Sequence, residues 1–396
     1  MLLASCGTEK TDLPGSYRGV LESPGGELAF DLQIDLTGDS LTAYVINGID
    51  TTRFSTVRMS GDSLILRFDF YDSELWSSIQ SDGTLRGQWS KRSSGGARSR
   101  LPFRAVKGQQ ERYRTVSEDH YRFDGNWAAS FTDEDGSFPA YALFVSEPGG
   151  TLHGTFRTET GDYRFLEGIY RDSSFVLSTF DGAHAFLFKA RMQPDGTLKG
   201  DFWSRDTYHA TWTAEKGEDH LRDPYQISAD EAVGRNMQFT FPDLEGEPVS
   251  ASDVRFQNKP MLVYLFGSWC PNCADEARMI REIYRTEYAN SDLQIVGLAY
   301  EYTGNFEEDA EMVRRYKQRF DIPWTLLVAG TSSKKAAAET LPFLEEVISY
   351  PTSIFVNRDH IIEAIHVGFN GPATGAQYFK EKQRFKKHLD TITGRR

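Results

Sequence analysis

Between Met261 and Ile280 the chain changes period, and two cysteines stand at the change. The stretch reads Phe266-Gly267-Ser268-Trp269-Cys270-Pro271-Asn272-Cys273. The apolar run before it, Met261–Phe266, predicts a buried strand, and Ala274–Ile280 after it predicts a helix. Cys270 therefore falls where a strand turns into a helix, the basic unit of layered α/β structure. Helix N-terminal N–H groups and the helix dipole lower a thiol pKa at such a place. The thiolate is the nucleophile of disulfide exchange. Two intervening residues let Cys273 reach back and resolve a mixed disulfide.

Two other uses of a close cysteine pair are disfavoured. A structural zinc site needs about four ligands, usually in two pairs. The chain has three cysteines, Cys6, Cys270 and Cys273, and no histidine pair of suitable spacing. A structural disulfide this short closes a tiny loop and stabilises little. The pair reads as a redox dithiol, with no metal and no cofactor. Asp133-Glu134-Asp135-Gly136-Ser137 hints at a calcium loop but lacks the spaced ligands and terminal Glu, and reads as a hairpin turn.

With 396 residues, 39% hydrophobic and 26% charged, the chain has the composition and length of a soluble protein of two or three domains. From Gly15 to about Lys216 it is a run of short strands and turns. Leu28–Leu36 alternates with period two, and Pro24-Gly25-Gly26, Thr37-Gly38-Asp39, Asn47-Gly48, Ser60-Gly61-Asp62 and Asp82-Gly83 punctuate it. The region also repeats itself. Asp82–Trp89 returns as Asp195–Trp203, Gly15–Gly19 is answered by Asp124–Ala128, and Ser60–Leu66 matches Tyr170–Leu177, a period of about 110 residues. That is longer than a solenoid repeat. The expectation is a duplicated antiparallel all-β module, residues 15–107 and 122–216, with about eight strands per copy. Each copy could close as a barrel or stack as a sandwich. The charged stretch Gly108–Arg122 links the copies, and Gly217–Asp223 with a helical turn at Ser228–Val233 leads into residues 235–396.

There strands alternate with helices: a hairpin at Met237–Phe241 and Pro248-Val249, strands at 261–266, 293–299 and 324–328, and helices to about Tyr288, at Phe306–Phe320 and at Ser333–Val347. A hairpin of Thr352–Val356 and Ile361–Ile365 and a closing helix, Thr374–Leu389, complete an α/β layer fold.

Residues 235–396 resemble the thioredoxin superfamily, most of all membrane-tethered thiol-disulfide oxidoreductases of the TlpA/ResA type. The marks are Trp269-Cys270-Pro271-Asn272-Cys273 after a strand, Tyr350-Pro351-Thr352 before the next hairpin, and an extra strand–helix unit between them. The resemblance implies that Cys270 is the exposed attacking thiol and Cys273 the buried resolving one. It also implies that Pro351 is cis and lies against the disulfide, with the backbone beside it docking an extended substrate. Trp269, Pro271, Tyr350 and Thr352 complete the docking surface. Glu276 matches a helix carboxylate that moves protons near the resolving cysteine; read from its position alone, it is a solvated first-turn Glu favouring the helix dipole. One departure is Tyr264, which stands where thioredoxin has a buried strand Asp and is expected to pack and hydrogen-bond.

Leu3-Ala4-Ser5-Cys6 resembles a bacterial lipobox, with Cys6 lipidated and residues 1–14 as lipobox and tether, although the basic segment and most of the apolar segment of a signal peptide do not precede it. A lipid-anchored, periplasm-facing protein of the bacterial cell envelope is expected. Its partners would be disulfide-containing proteins and a membrane thiol electron donor. A formal charge of −13 argues against nucleic acid. No other segment is apolar for long enough to span a membrane.

A peroxidase of peroxiredoxin type would need Pro-x-x-x-Thr-x-x-Cys, which the residues before Cys270 do not match. A different class of function is a ligand- or partner-binding lipoprotein that uses the β modules, with the redox domain as accessory. Trp76, Trp89, Trp127, Trp203 and Trp212 could form its platform, though core packing suits them better. Trp324 and His366 read as core or strand-edge filling.

Overall fold

The computed structural model describes residues 13–93, 96–108, 111–113, 123–228 and 232–395. Cys6 and its lipobox lie outside the described residues, as do much of the Gly108–Arg122 link and half of the turn at 228–233. The chain falls into two compact units. One comprises residues 1–92, 97–156 and 165–219, and the other 93–96, 157–164 and 220–396.

The repeat, with nine strands per copy among the described residues, lies in the first unit except for the tip of one hairpin. The first copy is β1 (Gly15–Ser23), β2 (Gly26–Thr37), β3 (Ser40–Asn47), β4 (Asp50–Arg53), β5 (Thr56–Ser60), β6 (Ser63–Phe68), β7 (Ser73–Ile79), β8 (Leu85–Arg92) and β9 (Arg98–Lys107). The second is β10 (Gly125–Asp133), β11 (Gly136–Ser146), β12 (Thr151–Thr158), β13 (Gly161–Asp162), β14 (Leu166–Arg171), β15 (Ser174–Phe180), β16 (Ala185–Met192), β17 (Leu198–Ser204) and β18 (Tyr208–Lys216). The tip of the β12–β13 hairpin, 157–164, counts with the second unit.

The copies share a meander but differ in closure. The first is an open sheet in the order β4-β3-β2-β1-β9-β8-β7-β6-β5. In the second, β12 pairs with both β14 and β11, so eight strands close into a barrel. The seam depends on Gly154, where a Cβ would lie 2.3 Å from the Leu143 carbonyl oxygen. The open copy completes its core with a residue of the barrel: Phe180 packs 4.7 Å from Phe30 and edge-on to Trp89. Polar contacts join the same strands. Asn47 donates to the Phe180 carbonyl at 2.8 Å and accepts from buried Arg112 at 2.6 Å. Trp89, Trp127 and Trp212 are buried core residues, whereas Trp76 is 44% exposed. Asp133–Gly136 is the β10–β11 turn, with Asp133 accepting from the Asp135 amide.

The second unit opens with a small hairpin, β19 (Thr240–Pro242) and β20 (Pro248–Ser250). A five-stranded sheet follows in the order β23-β22-β21-β24-β25, from β21 (Met261–Phe266), β22 (Gln294–Glu301), β23 (Thr325–Thr331), β24 (Thr352–Val356) and β25 (Ile362–Val367). β21 runs parallel to β22 and antiparallel to β24. Flanked on both edges, it is buried at every residue, which explains its unbroken apolar sequence. The helices are α1 (Pro271–Ile283), α2 (Phe306–Phe320), α3 (Lys334–Glu339) and α4 (Ala376–Thr393). The helix expected over Ser333–Val347 is cut to α3. Pro342 lacks an amide hydrogen and disfavours helix just before itself, and Leu341, Phe343, Leu344 and Val347 turn inward in an irregular segment. No helix among the described residues is long and apolar enough to cross a membrane.

Candidate active site

Strand register assembles the site. β21 ends at Phe266, and Cys270 caps α1 with Pro271 in its first turn, where a residue without an amide hydrogen costs nothing. Because β24 is antiparallel to β21, with Leu265 opposite Thr352, the entry of β24 lies beside the exit of β21. Tyr350 and Pro351 are thus brought to the cysteines, and their peptide bond is cis. β22 outruns β21, pairing Ala299 with Phe266, so Tyr300 and Glu301 flank the loop.

Cys270 and Cys273 form a disulfide. The Cys273 amide donates to Cys270 Sγ at 3.2 Å, the helix-terminal donor that also favours a thiolate. Cys270 Sγ lies 3.6 Å from the Tyr350 carbonyl oxygen. Cys273 is 0% exposed and Cys270 only 6%. Cys270, expected to be the exposed attacking thiol, is the outer sulfur of the two but is nearly buried, since it nests against the Tyr350 backbone. Trp269 is fixed by its Nε1–H donating to Tyr300 O at 2.9 Å, with its ring stacked on Tyr302 and edge-on to Tyr350. Thr352 is buried, its hydroxyl donating to Ser349 O.

Glu276 is one helical turn beyond Cys273, on the same face, and is fully buried rather than solvated. Burial first, then the nearby charge of Glu381, pushes its carboxyl up to about 8 against the pull of the Ser353 hydroxyl. Ser353 donates to its Oε1 at 3.1 Å. Tyr264, Ser353 and His366 are paired neighbours across β21, β24 and β25, so one row of the sheet presents three polar groups. Tyr264 accepts from Trp324 Nε1 at 3.0 Å, and burial raises its phenol against the pull of that bond. His366 is fully buried with Nδ1 3.9 Å from Glu276 and Nε2 2.8 Å from Glu381, a polar placement that filling a core does not require.

Sequence reasoning missed several residues. Glu301, at the end of β22, is buried and accepts from the Ser268 amide at 2.7 Å and its hydroxyl at 2.8 Å, bracing the loop two residues before Cys270. Asp275 is buried between Arg164 and Arg278. Asn272 donates to Asp162 O at 3.1 Å, and burial above all raises the Asp162 carboxyl to about 6. No local signal marks Glu301 or Asp162 as buried, because their partners are distant in sequence.

A model of the AhpC/TSA family matches residues 233–365. The chain is 26% identical over 149 residues to the thioredoxin-like protein YneN of Bacillus subtilis, covering 36% of this chain and 79% of that protein. Among solved structures it is similar to a thiol:disulfide interchange protein of Chlorobium tepidum, at 19% identity and a TM-score of 0.31 over 41% of this chain and 97% of the other. It is also similar to a thiol-disulfide oxidoreductase of Bacteroides fragilis, at 22% identity and a TM-score of 0.26 over 36% and 96%. With a dithiol capping the helix after its central strand, the C-terminal part of this chain, matched over 233–365 by the AhpC/TSA family, is a thioredoxin-like thiol-disulfide oxidoreductase domain.

Proposed function

We propose that the protein reduces disulfides of other proteins in the bacterial cell envelope, through Cys270 and Cys273. The observation that carries this reading is the amide of Cys273 directed at Cys270 Sγ in the first turn of α1, which stabilises a thiolate at the outer sulfur. The Cys270 thiolate attacks a substrate disulfide and expels one substrate thiolate. Cys273 then attacks Cys270 Sγ, releasing the second, and two electrons have passed from the dithiol to the substrate. Glu276 is the base for this second step and takes the Cys273 proton. Trp269, Pro271, Tyr350, Pro351 and Thr352 form the docking surface for an extended substrate segment. A compartment kept oxidising requires an electron supply, so a membrane thiol carrier re-reduces the pair. Lipidation at Cys6 would hold the protein beside it. In an insulin-reduction assay the full chain is active and Cys270→Ser falls to the uncatalysed rate; activity retained in that variant overturns the assignment. Cys273→Ala is expected to hold the mixed disulfide on Cys270, so that mass spectrometry identifies the substrate.

One observation favours a second reading, a binding role for the β unit. A groove of about 400 Å³ on the barrel is lined by Ile169, Arg171, Ser174, Val176, Arg191 and Lys199. Arg191 and Lys199 are cross-strand neighbours, a like-charge pairing unfavourable in itself and suited to an anionic ligand. Binding of an anionic peptide that Arg191→Ala weakens supports this role; no binding by the intact chain removes it.

A further inference from the structure

Behind the dithiol lies a polar cluster that disulfide exchange at the two sulfurs does not by itself explain. Glu276 is on α1, His366 on β25 and Glu381 on α4, all buried. His366 lies between the carboxylates, 3.9 Å from one and 2.8 Å from the other. Asn370 donates to both Glu381 oxygens, from Nδ2 at 2.7 Å and from its amide at 3.3 Å. Burial would raise the Glu381 carboxyl, but His366 and then Asn370 outweigh it and hold it below the usual range. Tyr225 covers His366 with its ring 4.8 Å away, and the Arg384–Asp223 ion pair lies beyond it. Tyr264 and Ser353 complete the surroundings from β21 and β24.

Glu276 Oε2, His366 Nδ1 and the Tyr225 hydroxyl make no directed hydrogen bond among the described residues, whereas His366 Nε2 is paired with Glu381 at 2.8 Å. Buried polar atoms are nearly always partnered, and exceptions cluster where chemistry needs them. A cluster serving only the fold would pair these atoms or replace them by apolar side chains of similar volume. Here two carboxyls and an imidazole are buried in single file, starting one helical turn from Cys273.

We propose that His366 and Glu381 are positioning residues for proton transfer at the dithiol: with Glu276 they form a buried chain that stores the Cys273 proton while the disulfide is closed. This inference rests on the oxidoreductase reading and adds the proton's resting place. When Cys273 Sγ bonds to Cys270 Sγ, the bond from Cys270 to the substrate sulfur breaks. That sulfur leaves as a thiolate and takes a proton from water, and the Cys273 S–H proton moves to the Glu276 carboxylate. On re-reduction a donor thiolate attacks Cys270, Cys273 leaves as thiolate, and Glu276 returns the proton. Through His366, the charge kept on Glu381 favours the protonated form of Glu276 in the disulfide state and so fixes the pH range in which the store is full.

The test is infrared titration of the carboxyl C=O band in the oxidised full-length protein. The wild type loses the band with a midpoint near pH 8, and Glu276→Gln lacks it. In Glu381→Gln the midpoint falls by on the order of one pH unit, and the alkaline limb of the insulin-reduction profile moves with it. A Glu381→Gln midpoint that is unmoved or higher overturns the proposal, even if thermal stability drops, because a purely structural role changes stability alone. Should Glu381→Gln not fold, Asn370→Ala reads the same point: it withdraws the Nδ2 donor that helps keep Glu381 charged, and the Glu276 midpoint must also fall. A wild type inactive on insulin disulfides would instead overturn the underlying oxidoreductase reading.

Discussion

Each unit buries a polar cluster, and the two differ in which atoms lack a hydrogen bond among the described residues: in the β-unit cluster it is Nε of the Arg112 guanidinium, whose other nitrogens are bonded. In the β unit Asn47 uses both ends of its amide, giving to the Phe180 carbonyl and accepting from Arg112 and the Phe180 amide. In the redox unit Glu276 and His366 keep polar atoms without a directed partner. Satisfied groups rigidify a junction, and unsatisfied ones beside a reactive sulfur remain available to exchange protons. On the proposed reading, burial of polar groups is a structural device in one unit and a chemical one in the other.

Four measurements test that contrast. Asn47→Ala leaves the Arg112 guanidinium and a backbone amide short of partners, so denaturant unfolding should show a loss of about 3 kcal/mol or more. Its rate of disulfide exchange should match the wild type; a slower rate would blur the division of roles. Glu301→Ala strips the acceptor from the Ser268 amide and hydroxyl, costing about 2 kcal/mol and, unlike Asn47→Ala, slowing exchange by loosening the loop ahead of Cys270. Glu276→Gln should change the pH dependence of stability. The folded carboxyl titrates near 8 against 4.5 in the unfolded chain, so across that interval the folded state holds a proton that the unfolded chain has lost. This contribution is full below about pH 4.5 and disappears as pH rises toward 8. The variant should therefore gain on the wild type by about 1.4 kcal/mol per pH unit between pH 5 and 7, and parallel curves would refute a buried neutral Glu276. The smallest effect is Lys216→Ala, which removes an exposed ammonium 4.0 Å over the Trp127 ring and should cost about 0.5–1 kcal/mol in unfolding without touching exchange.

Local chemistry made much of the redox domain legible. A strand buried on both faces shows as Met261–Phe266, and Cys270-Pro271 reads as cap and first helical turn whatever surrounds it. The duplication also shows, because strand period and turn residues are short-range properties. Closure is different: the same meander is a barrel in one copy and open in the other, and the decision lies in the pairing of β12 with β11, which Gly154 permits. Helix α3 ran long in expectation because apolar spacing outweighed Pro342, which ended it.

By itself, the sequence determined the dithiol at a strand–helix junction, the α/β order around it and the repeated β module, since each follows from neighbours a few residues apart. Only the tertiary structure decided which charges are buried. Glu276, His366 and Glu381 lie on three elements that meet through strand register and helix packing, 90 and then 15 positions apart. Burial and proximity, not residue type, turn what position alone suggests is an ordinary helix glutamate into a carboxyl that is protonated at neutral pH while the disulfide is closed.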